Sequence, residues 1–226
     1  MTFTTLFRAW ATVLVAMLAA ILLTTAAFAT GAGAQPTCSG KVVLDPGHGG
    51  SDSGAVNTKY GLTEKEQTLD VAKRLKVLLE EDGCTVYMTR TSNSQTLSNN
   101  DRYSYANTTG AGVLISIHMN GSASPSTDYT TTLFGKWRKD KELANTIFGS
   151  LSALPAANGT GSIATRTPYS FASGVLLKSD MPATIAETIF ITSDREGQLL
   201  SNGTGARQQQ IAQALRVGIE DYLTTH

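Results

Sequence analysis

The stretch KVVLDPGHGGSDSG, Lys41–Gly54, decides how the rest of this chain is arranged. Its apolar run Val42–Leu44 predicts a short buried strand, which ends at Asp45-Pro46 because proline lacks a backbone donor and restricts φ. Glycines on both sides of His48 leave the backbone there almost free of side chains. His48 therefore follows a strand end inside a glycine loop, a usual position for ligands and reacting groups in an α/β sheet.

Strands and helices alternate downstream of this loop. Thr63 with Glu66 predicts a capping box and a helix that starts at Glu64. A strand over Cys84–Thr89 then completes a β–α–β unit, whose two strands are parallel. The other predicted elements are a short helix over Asp101–Asn107, a strand over Gly112–Ile117, an edge strand over Tyr129–Phe134, a helix through Leu143–Leu151, a mobile loop over Leu154–Ser173, strands over Gly174–Lys178 and Ala183–Phe190, and a terminal helix over Arg207–Leu223.

This pattern predicts the α/β class: a single domain with a central, mostly parallel twisted sheet of about six strands, flanked by helices on both faces. The length of 226 residues suits one domain. Lysine plus arginine number 18, as do the acidic residues, so the formal net charge is zero. No charge excess indicates nucleic acid as a partner.

Residues 1–34 differ from the rest of the chain, since Arg8 is their only charged residue and Ala9–Ala29 is almost wholly apolar. Two candidate cleavage sites of small residues follow, at Ala27-Phe-Ala29 and Ala32-Gly-Ala34, as in a secretory signal peptide. An uncleaved membrane anchor is the alternative, because about 20 apolar residues can span a bilayer. We expect a signal peptide and short linker over 1–34, a mature domain over 35–226, and no stable membrane association after cleavage.

The chain has two cysteines, Cys38 and Cys84, each just before a predicted strand. If those strands are parallel neighbours, both cysteines lie at the same edge of the sheet, within disulfide reach. Export to an oxidising compartment favours a Cys38–Cys84 disulfide over two separate buried thiols.

The chain lacks the residue patterns typical of nucleophilic catalysis and of nucleotide binding. The chain has no G-x-S-x-G nucleophile motif, and neither cysteine follows a strand beside a histidine, which argues against a serine or cysteine hydrolase. Gly47-His-Gly-Gly-Ser-Asp begins like a dinucleotide fingerprint, but its last glycine is missing and the predicted helix does not begin until Glu64. Without a helix N-terminus at the loop, phosphate loses its main binding element.

A metal site fits the histidines better. Of three histidines, His226 is the last residue, whereas His48 and His118 each follow a predicted buried strand. Histidines at the carboxyl ends of parallel strands converge on one crevice. Taken singly, each is more often a structural or surface residue than a ligand.

The third ligand should be a carboxylate, because a catalytic zinc takes three protein ligands and His₂Glu is a known set. Glu64, at the start of a helix, is the best placed. Asp45 and Asp52 remain alternatives, although Asp45 is better interpreted as orienting the loop or supporting a histidine.

Glu187 is the candidate acid–base residue, because it lies within the otherwise apolar run Ala183–Ile191. A buried carboxylate is costly unless it is paired or functional, and burial raises its pKa toward the range useful for proton transfer. The alternative is a strand residue that faces solvent.

Four segments together resemble the zinc-dependent N-acetylmuramoyl-L-alanine amidases of the amidase-3 class. They are Lys41–Gly54 (KVVLDPGHGGSDSG), Gly61–Leu69 (GLTEKEQTL), Ser116–Asn120 (SIHMN) and Met181–Thr192 (MPATIAETIFIT). The resemblance extends from about Gly40 to Tyr222, and the four segments occur in the family's order. Ile189–Ser193 departs from it, since the family usually has Gly-Phe-Leu-Ser-Asn after its catalytic glutamate.

The resemblance implies that His48, Glu64 and His118 bind one catalytic Zn²⁺ and that Glu187 is the catalytic residue. The implied reaction is hydrolysis of the amide between N-acetylmuramic acid and the L-alanine of the stem peptide in peptidoglycan. We therefore expect residues 35–226 to be a monomeric amidase catalytic domain, exported to the cell wall, the extracellular space or the periplasm. One alternative is a catalytically inactive, amidase-like protein with a peptidoglycan-binding or regulatory role. Another is a zinc peptidase that cuts within the stem peptide.

Overall fold

The computed structural model describes residues 38–226, so the predicted signal peptide and linker over 1–34 lie outside the described residues. The strands of this part are β1 (Lys41–Pro46), β2 (Val56–Asn57), β3 (Leu62–Thr63), β4 (Thr85–Met88), β5 (Val113–Asn120), β6 (Thr131–Phe134), β7 (Tyr169–Ser170) and β8 (Ala183–Phe190). Its helices are α1 (Glu64–Glu81), α2 (Asn99–Thr108), α3 (Trp137–Leu151), α4 (Gly174–Lys178), α5 (Asp194–Ser201) and α6 (Ala206–Thr225).

Six strands form the central sheet in the order β4-β1-β5-β8-β6-β7. The four strands from β4 to β8 are parallel, β6 is antiparallel to β8, and β7 is parallel to β6. The predicted mostly parallel sheet of six strands is thus confirmed. The two short strands β2 and β3 pair separately as an antiparallel ribbon just before α1.

Helices cover both faces of this sheet, as predicted. One face packs against α1, α3 and α6 through a large apolar cluster that includes Leu75, Ile147 and Leu215, all fully buried. The other face packs against α2 and α4 through a smaller cluster that includes Ala106 and Leu176. The near-continuous burial of β1, β5 and β8 follows from this double cover, and explains why their sequences are apolar runs.

Helix α1 begins at Glu64 as predicted, but not through a capping box. The Thr63 side chain makes no capping hydrogen bond, and its hydroxyl donates to Glu66 Oε2 at 2.7 Å instead. The first amides of the helix are satisfied by the preceding loop, because Glu64 N donates to Ala55 O and Lys65 N donates to Ser53 O. The loop that precedes α1 thereby fixes where Glu64 lies.

One predicted strand is wrong: Gly174–Lys178 is the short helix α4. Short apolar runs fit a buried strand and a buried helix turn equally well, and here Leu177 N donates to Ser173 O to close a helical turn. Helix α5, Asp194–Ser201, was not predicted from the sequence.

Two other strand assignments are corrected. Strand β5 continues to Asn120, so His118 lies within it and not after it. Strand β6 begins at Thr131 and is not an edge strand, because the two-residue β7 pairs with its outer side. The predicted loop Leu154–Ser173 is mostly irregular and contributes β7 to the sheet.

The predicted disulfide is present between Cys38 and Cys84, with the two Cα atoms 5.0 Å apart. The two cysteines precede the paired strands β1 and β4, which places the bridge at the amino ends of the parallel strands. Within residues 38–226, no helix has the length and apolar character needed to cross a membrane.

Candidate metal centre

Three elements of the chain bring His48, Glu64 and His118 together. His48 follows β1, Glu64 is the first residue of α1, and His118 lies near the carboxyl end of β5. Strands β1 and β5 are parallel neighbours, with Pro46 opposite Ile117. The residues after β1 and the last residues of β5 therefore face the same crevice, as expected for adjacent parallel strands.

One carboxylate oxygen is shared by the two imidazoles. Glu64 Oε1 lies 3.0 Å from His118 Nδ1 and 3.1 Å from His48 Nε2. It also accepts the backbone N–H of Met119 at 3.0 Å, while Oε2 accepts that of Ala55 at 2.9 Å. Glu64 is therefore fixed by backbone donors on both oxygens and aimed at both rings.

Gly47 lets the two histidines approach each other. A Cβ at this position would lie 2.4 Å from His118 Cε1, closer than any side chain tolerates. The ring of His118 occupies that space, with its centroid 4.9 Å from the ring centroid of His48. A glycine before His48 is thus a steric requirement of the cluster.

The charges within the cluster favour a protonated His48. Burial lowers the pKa of His48, but the hydrogen bonds and charges of Glu64 and Asp52 outweigh burial and raise it to about 9. Burial likewise opposes ionisation of Glu64, but the two histidines bring the pKa of that carboxyl well below its usual range. Since ligands must be deprotonated to bind a metal, a cation at this position competes with the imidazole proton of His48.

Asp52, not Asp45, supports His48. The Asp52 Oδ2 atom lies 2.8 Å from His48 Nδ1, which leaves Nε2 directed at Glu64. Asp45 is fully buried and accepts from Arg102, Thr89 and Ser116, so no hydrogen bond joins it to the imidazole. These hydrogen bonds fit the predicted role of Asp45 in orienting the loop. The other predicted role, support of the imidazole, falls to Asp52, four residues after His48.

The donor set suits Zn²⁺. Two imidazole nitrogens and one carboxylate oxygen, all within 4.8 Å of one another, match the His₂Glu set of catalytic zinc sites. A tetrahedral ion with ligands at about 2 Å separates them by about 3–3.5 Å, close to the 3.0 and 3.1 Å between Glu64 Oε1 and the two nitrogens. The Asp52 carboxylate on the other nitrogen of His48 is the usual outer partner of a metal-binding histidine.

Glu187 lies next to this cluster. It is the fifth of the eight residues of β8 and is directly opposite His118 in the β5–β8 pairing. Burial raises the pKa of its carboxyl, and the charge of His118 offsets only part of that effect. The strand register thus places a carboxyl that holds its proton more readily than usual beside a histidine of the cluster.

A cavity of about 450 Å³ is lined by all four residues. Polar side chains such as Asp52 and Asn120 contribute to the same lining. Its apolar and aromatic part is formed by Leu133, Tyr169, Phe171, Val175 and Ile185. Tyr169 and Phe171 come from the predicted loop Leu154–Ser173, which therefore does lie beside the site.

Known proteins share this chain's sequence pattern. The family model described as N-acetylmuramoyl-L-alanine amidase (Amidase_3) matches residues 42–221. The chain is 32% identical over 191 residues to N-acetylmuramoyl-L-alanine amidase LytC of Bacillus subtilis (strain 168), covering 83% of this chain and 36% of that protein. It is 34% identical over 187 residues to the probable cell wall amidase LytH of Staphylococcus epidermidis, covering 81% of this chain and 58% of that protein. The chain thus spans about a third to three-fifths of the length of these relatives.

Solved structures agree with the fold. The N-acetylmuramoyl-L-alanine amidase of Clostridium difficile 630 superposes with a TM-score of 0.73 at 30% identity, over 83% of this chain and 98% of that one. The amidase AmiC2 of Nostoc punctiforme superposes with a TM-score of 0.72 at 29% identity, with the same coverage. In sequence and in fold, the chain belongs to the amidase-3 family of N-acetylmuramoyl-L-alanine amidases.

Proposed function

We propose that this protein is a secreted, zinc-dependent hydrolase that cleaves the amide between N-acetylmuramic acid and L-alanine in bacterial peptidoglycan. The observation that carries the proposal is the cluster of His48, Glu64 and His118 with Glu187 opposite His118 on the neighbouring strand. Membership of the amidase family supports the substrate. Zn²⁺ bound by this cluster would lower the pKa of a water molecule and polarise the scissile carbonyl.

The chain's own residues then have separate roles. His48 and His118 supply neutral nitrogens, and Glu64 supplies the charge that favours a cation between them. Glu187 accepts the proton of the attacking water and delivers it to the departing nitrogen of L-alanine. A partly buried carboxyl with a raised pKa is suited to both transfers, because its pKa is closer to neutral pH than that of an ordinary glutamate.

The mixed lining of the cavity suits a substrate with both polar and apolar groups. Beside the cluster, the lining includes Tyr169 and Phe171, which offer apolar surface to alkyl groups of the substrate. We propose peptidoglycan as the partner, one catalytic Zn²⁺, a monomer, no nucleic-acid partner and no stable membrane association. An exported location, in the cell wall, outside the cell or in the periplasm, is consistent with a relative named as a probable cell wall amidase.

Digestion of isolated peptidoglycan tests the proposal. Purified protein, with and without a chelator, is incubated with the polymer, and the soluble products are analysed by mass spectrometry. We expect stem peptides with a free L-alanine amine, formed only without chelator and restored when Zn²⁺ is added back. Cleavage inside the stem peptide would identify a peptidase instead, and co-sedimentation without release would identify the inactive wall-binding alternative.

A further inference from the structure

A second buried feature adjoins the cluster: the guanidinium of Arg90, which is 1% exposed. Burial, together with the charge of Arg102 beside it, lowers the pKa of Arg90 to about 10, so the group remains a cation at neutral pH. Among residues 38–226 no carboxylate lies within salt-bridge distance of Arg90. Burying a charge is costly, and the charge of Asp45 offsets only part of the effect of burial on Arg90, so this side chain must be held by other groups.

Backbone carbonyls hold it. Arg90 Nε donates to Pro46 O at 3.0 Å, and Nη2 donates to Gly47 O at 2.8 Å and to Lys65 O at 2.7 Å. Pro46 and Gly47 directly precede His48, and Lys65 directly follows Glu64. A single planar group therefore links the backbone of the loop that carries one imidazole to the first turn of the helix that carries the carboxylate.

Thr68 strengthens the same link. Its hydroxyl donates to Gly47 O at 3.0 Å and lies 3.2 Å from Arg90 Nη2. Gly49 makes room for the arginine, because a Cβ there would lie 3.1 Å from Arg90 Cδ and 2.5 Å from Gln95 O. The loop backbone and the arginine side chain are therefore fitted to each other.

A second arginine, Arg102, also contacts the loop, but it differs from Arg90 because it forms a direct salt bridge. It forms a buried salt bridge with Asp45 and donates to Pro46 O and His48 O. Its donations hold His48 in a left-handed backbone conformation, with φ of 61°, which non-glycine residues rarely adopt. None of its hydrogen bonds reaches α1.

We propose that Arg90 is a positioning residue of the metal centre, which sets the separation of His48 from Glu64 by joining the loop after β1 to the first turn of α1. The inference rests on the proposed ligand set. A lysine at this position would keep the charge. Its single ammonium cannot reproduce the planar set of N–H donors with which the guanidinium reaches both segments. The hydrogen bonds to both segments therefore explain why an arginine without a direct salt bridge is buried here.

The test compares Arg90→Lys with Arg207→Lys. Arg207 is a matched control because it is 2% exposed and makes a bidentate salt bridge with Glu196, with no hydrogen bond to either ligand segment. Zn²⁺ affinity is measured by competition with a chromophoric chelator, Co²⁺ loading by its visible spectrum, and stability by thermal unfolding. We expect Arg90→Lys to weaken Zn²⁺ binding about 10- to 100-fold and to change the Co²⁺ spectrum, the effect usual for an outer-shell partner. Arg207→Lys should lower the Tm while leaving both metal readouts unchanged.

Each other outcome has a meaning. Wild-type affinity and spectrum in Arg90→Lys would overturn the inference, as would an equal loss of affinity in Arg207→Lys. If Arg90→Lys does not fold, Thr68→Val decides, since it removes one donor to Gly47 O at nearly constant volume. Unchanged metal binding in a folded Thr68→Val variant then overturns the inference. If the wild-type protein itself binds no Zn²⁺, it is the proposed function that fails.

Discussion

Asp52 and His48 form a carboxylate–imidazole pair at the mouth of the cavity, with 2.8 Å between Oδ2 and Nδ1. A proton on Nδ1 that is donated to Asp52 leaves the lone pair of Nε2 free, on the side of Glu64. The Asp52 side chain is 63% exposed, so this pair contributes mainly to orientation and little to stability.

Replacement of Asp52 should therefore weaken metal binding without unfolding the protein. We expect Asp52→Ala to reduce Zn²⁺ affinity about 10-fold, because His48 loses the partner that sets its orientation and tautomer. Asp52→Asn retains an acceptor oxygen and should lose less. Chelator competition measures both, and thermal unfolding should show a change in stability within about 0.5 kcal/mol. Unaltered affinity in Asp52→Ala would contradict this role.

Gly47→Ala should damage the same cluster through a steric clash. Its Cβ would lie 2.4 Å from His118 Cε1, so the ring or the loop must shift from its present position in the cluster. We expect a loss of about 1–3 kcal/mol in urea unfolding, as for other overpacked sites, together with weaker Zn²⁺ binding. Gly149→Ala in α3 is the control, because nothing lies within 4 Å of its Cβ position. That change should stabilise the protein by about 0.5–1 kcal/mol and leave metal binding intact.

Glu187→Gln separates proton transfer from metal binding. Glutamine preserves shape but cannot accept the proton of water, so release of L-alanine amines should fall about 10²- to 10⁴-fold. Zinc content, measured on the same preparation by atomic absorption, should equal that of the wild type. The exposed Glu66→Gln is the control for loss of one negative charge. A zinc-loaded Glu187→Gln variant with full turnover would remove Glu187 from the mechanism.

Loss of the disulfide should affect stability and spare the reaction. The bridge joins residues separated by 46 positions, for which chain entropy gives about 3–4 kcal/mol. Cys38→Ser with Cys84→Ser should lower the Tm by roughly 10 °C, as judged by the usual entropy of unfolding per residue. Hydrolysis at 25 °C should be unchanged, because the bridge lies at the amino ends of β1 and β4 and the cluster lies at the carboxyl ends. A large fall in turnover in a fully folded double variant would contradict this expectation, because it would show that the amino and carboxyl ends of the sheet are coupled.

Glu196 should make stability depend on pH. Burial raises the pKa of this carboxyl to about 7, and the charge of Asp128 adds to that effect, while the Arg207 guanidinium opposes it. Because the folded state then binds a proton that the unfolded state has released, this group favours folding less as pH rises from about 4.5 to 7. Glu196→Gln should flatten the profile of Tm against pH over this window, whereas the exposed Glu81→Gln should not. An unchanged slope in Glu196→Gln would contradict the assignment.

The parts of the fold that could be predicted are those with a strong local signal. Val42–Leu44 and Ala183–Phe190 are apolar runs because both faces of the sheet are covered, and α1 shows helical spacing from Leu69 to Leu79. Gly174–Lys178 was predicted wrongly as a strand, because four apolar or long residues in succession carry no period that tells a strand from one helical turn.

The proximity of the three candidate ligands could be predicted because histidines are few and follow neighbouring strands, while a zinc set requires a carboxylate as well. The structure does bring His48, Glu64 and His118 together, and their role as ligands remains a prediction. The partners of those residues could not be predicted. Asp52 lies four residues after His48 in the same loop, and its position in the sequence does not distinguish a metal ligand from a partner of the imidazole. Arg90 reaches the loop through a tertiary contact, and no sequence spacing distinguishes it from other polar residues in turns.

The lining of the cavity also limits which ligands can fill it. Polar side chains such as His48 and Asn120 share the lining with the apolar side chains of Leu133, Phe171 and Ile185. A wholly apolar ligand would leave the polar groups without hydrogen-bond partners, whereas a wholly polar one would gain nothing from the apolar groups. The cavity therefore selects for molecules of mixed polarity.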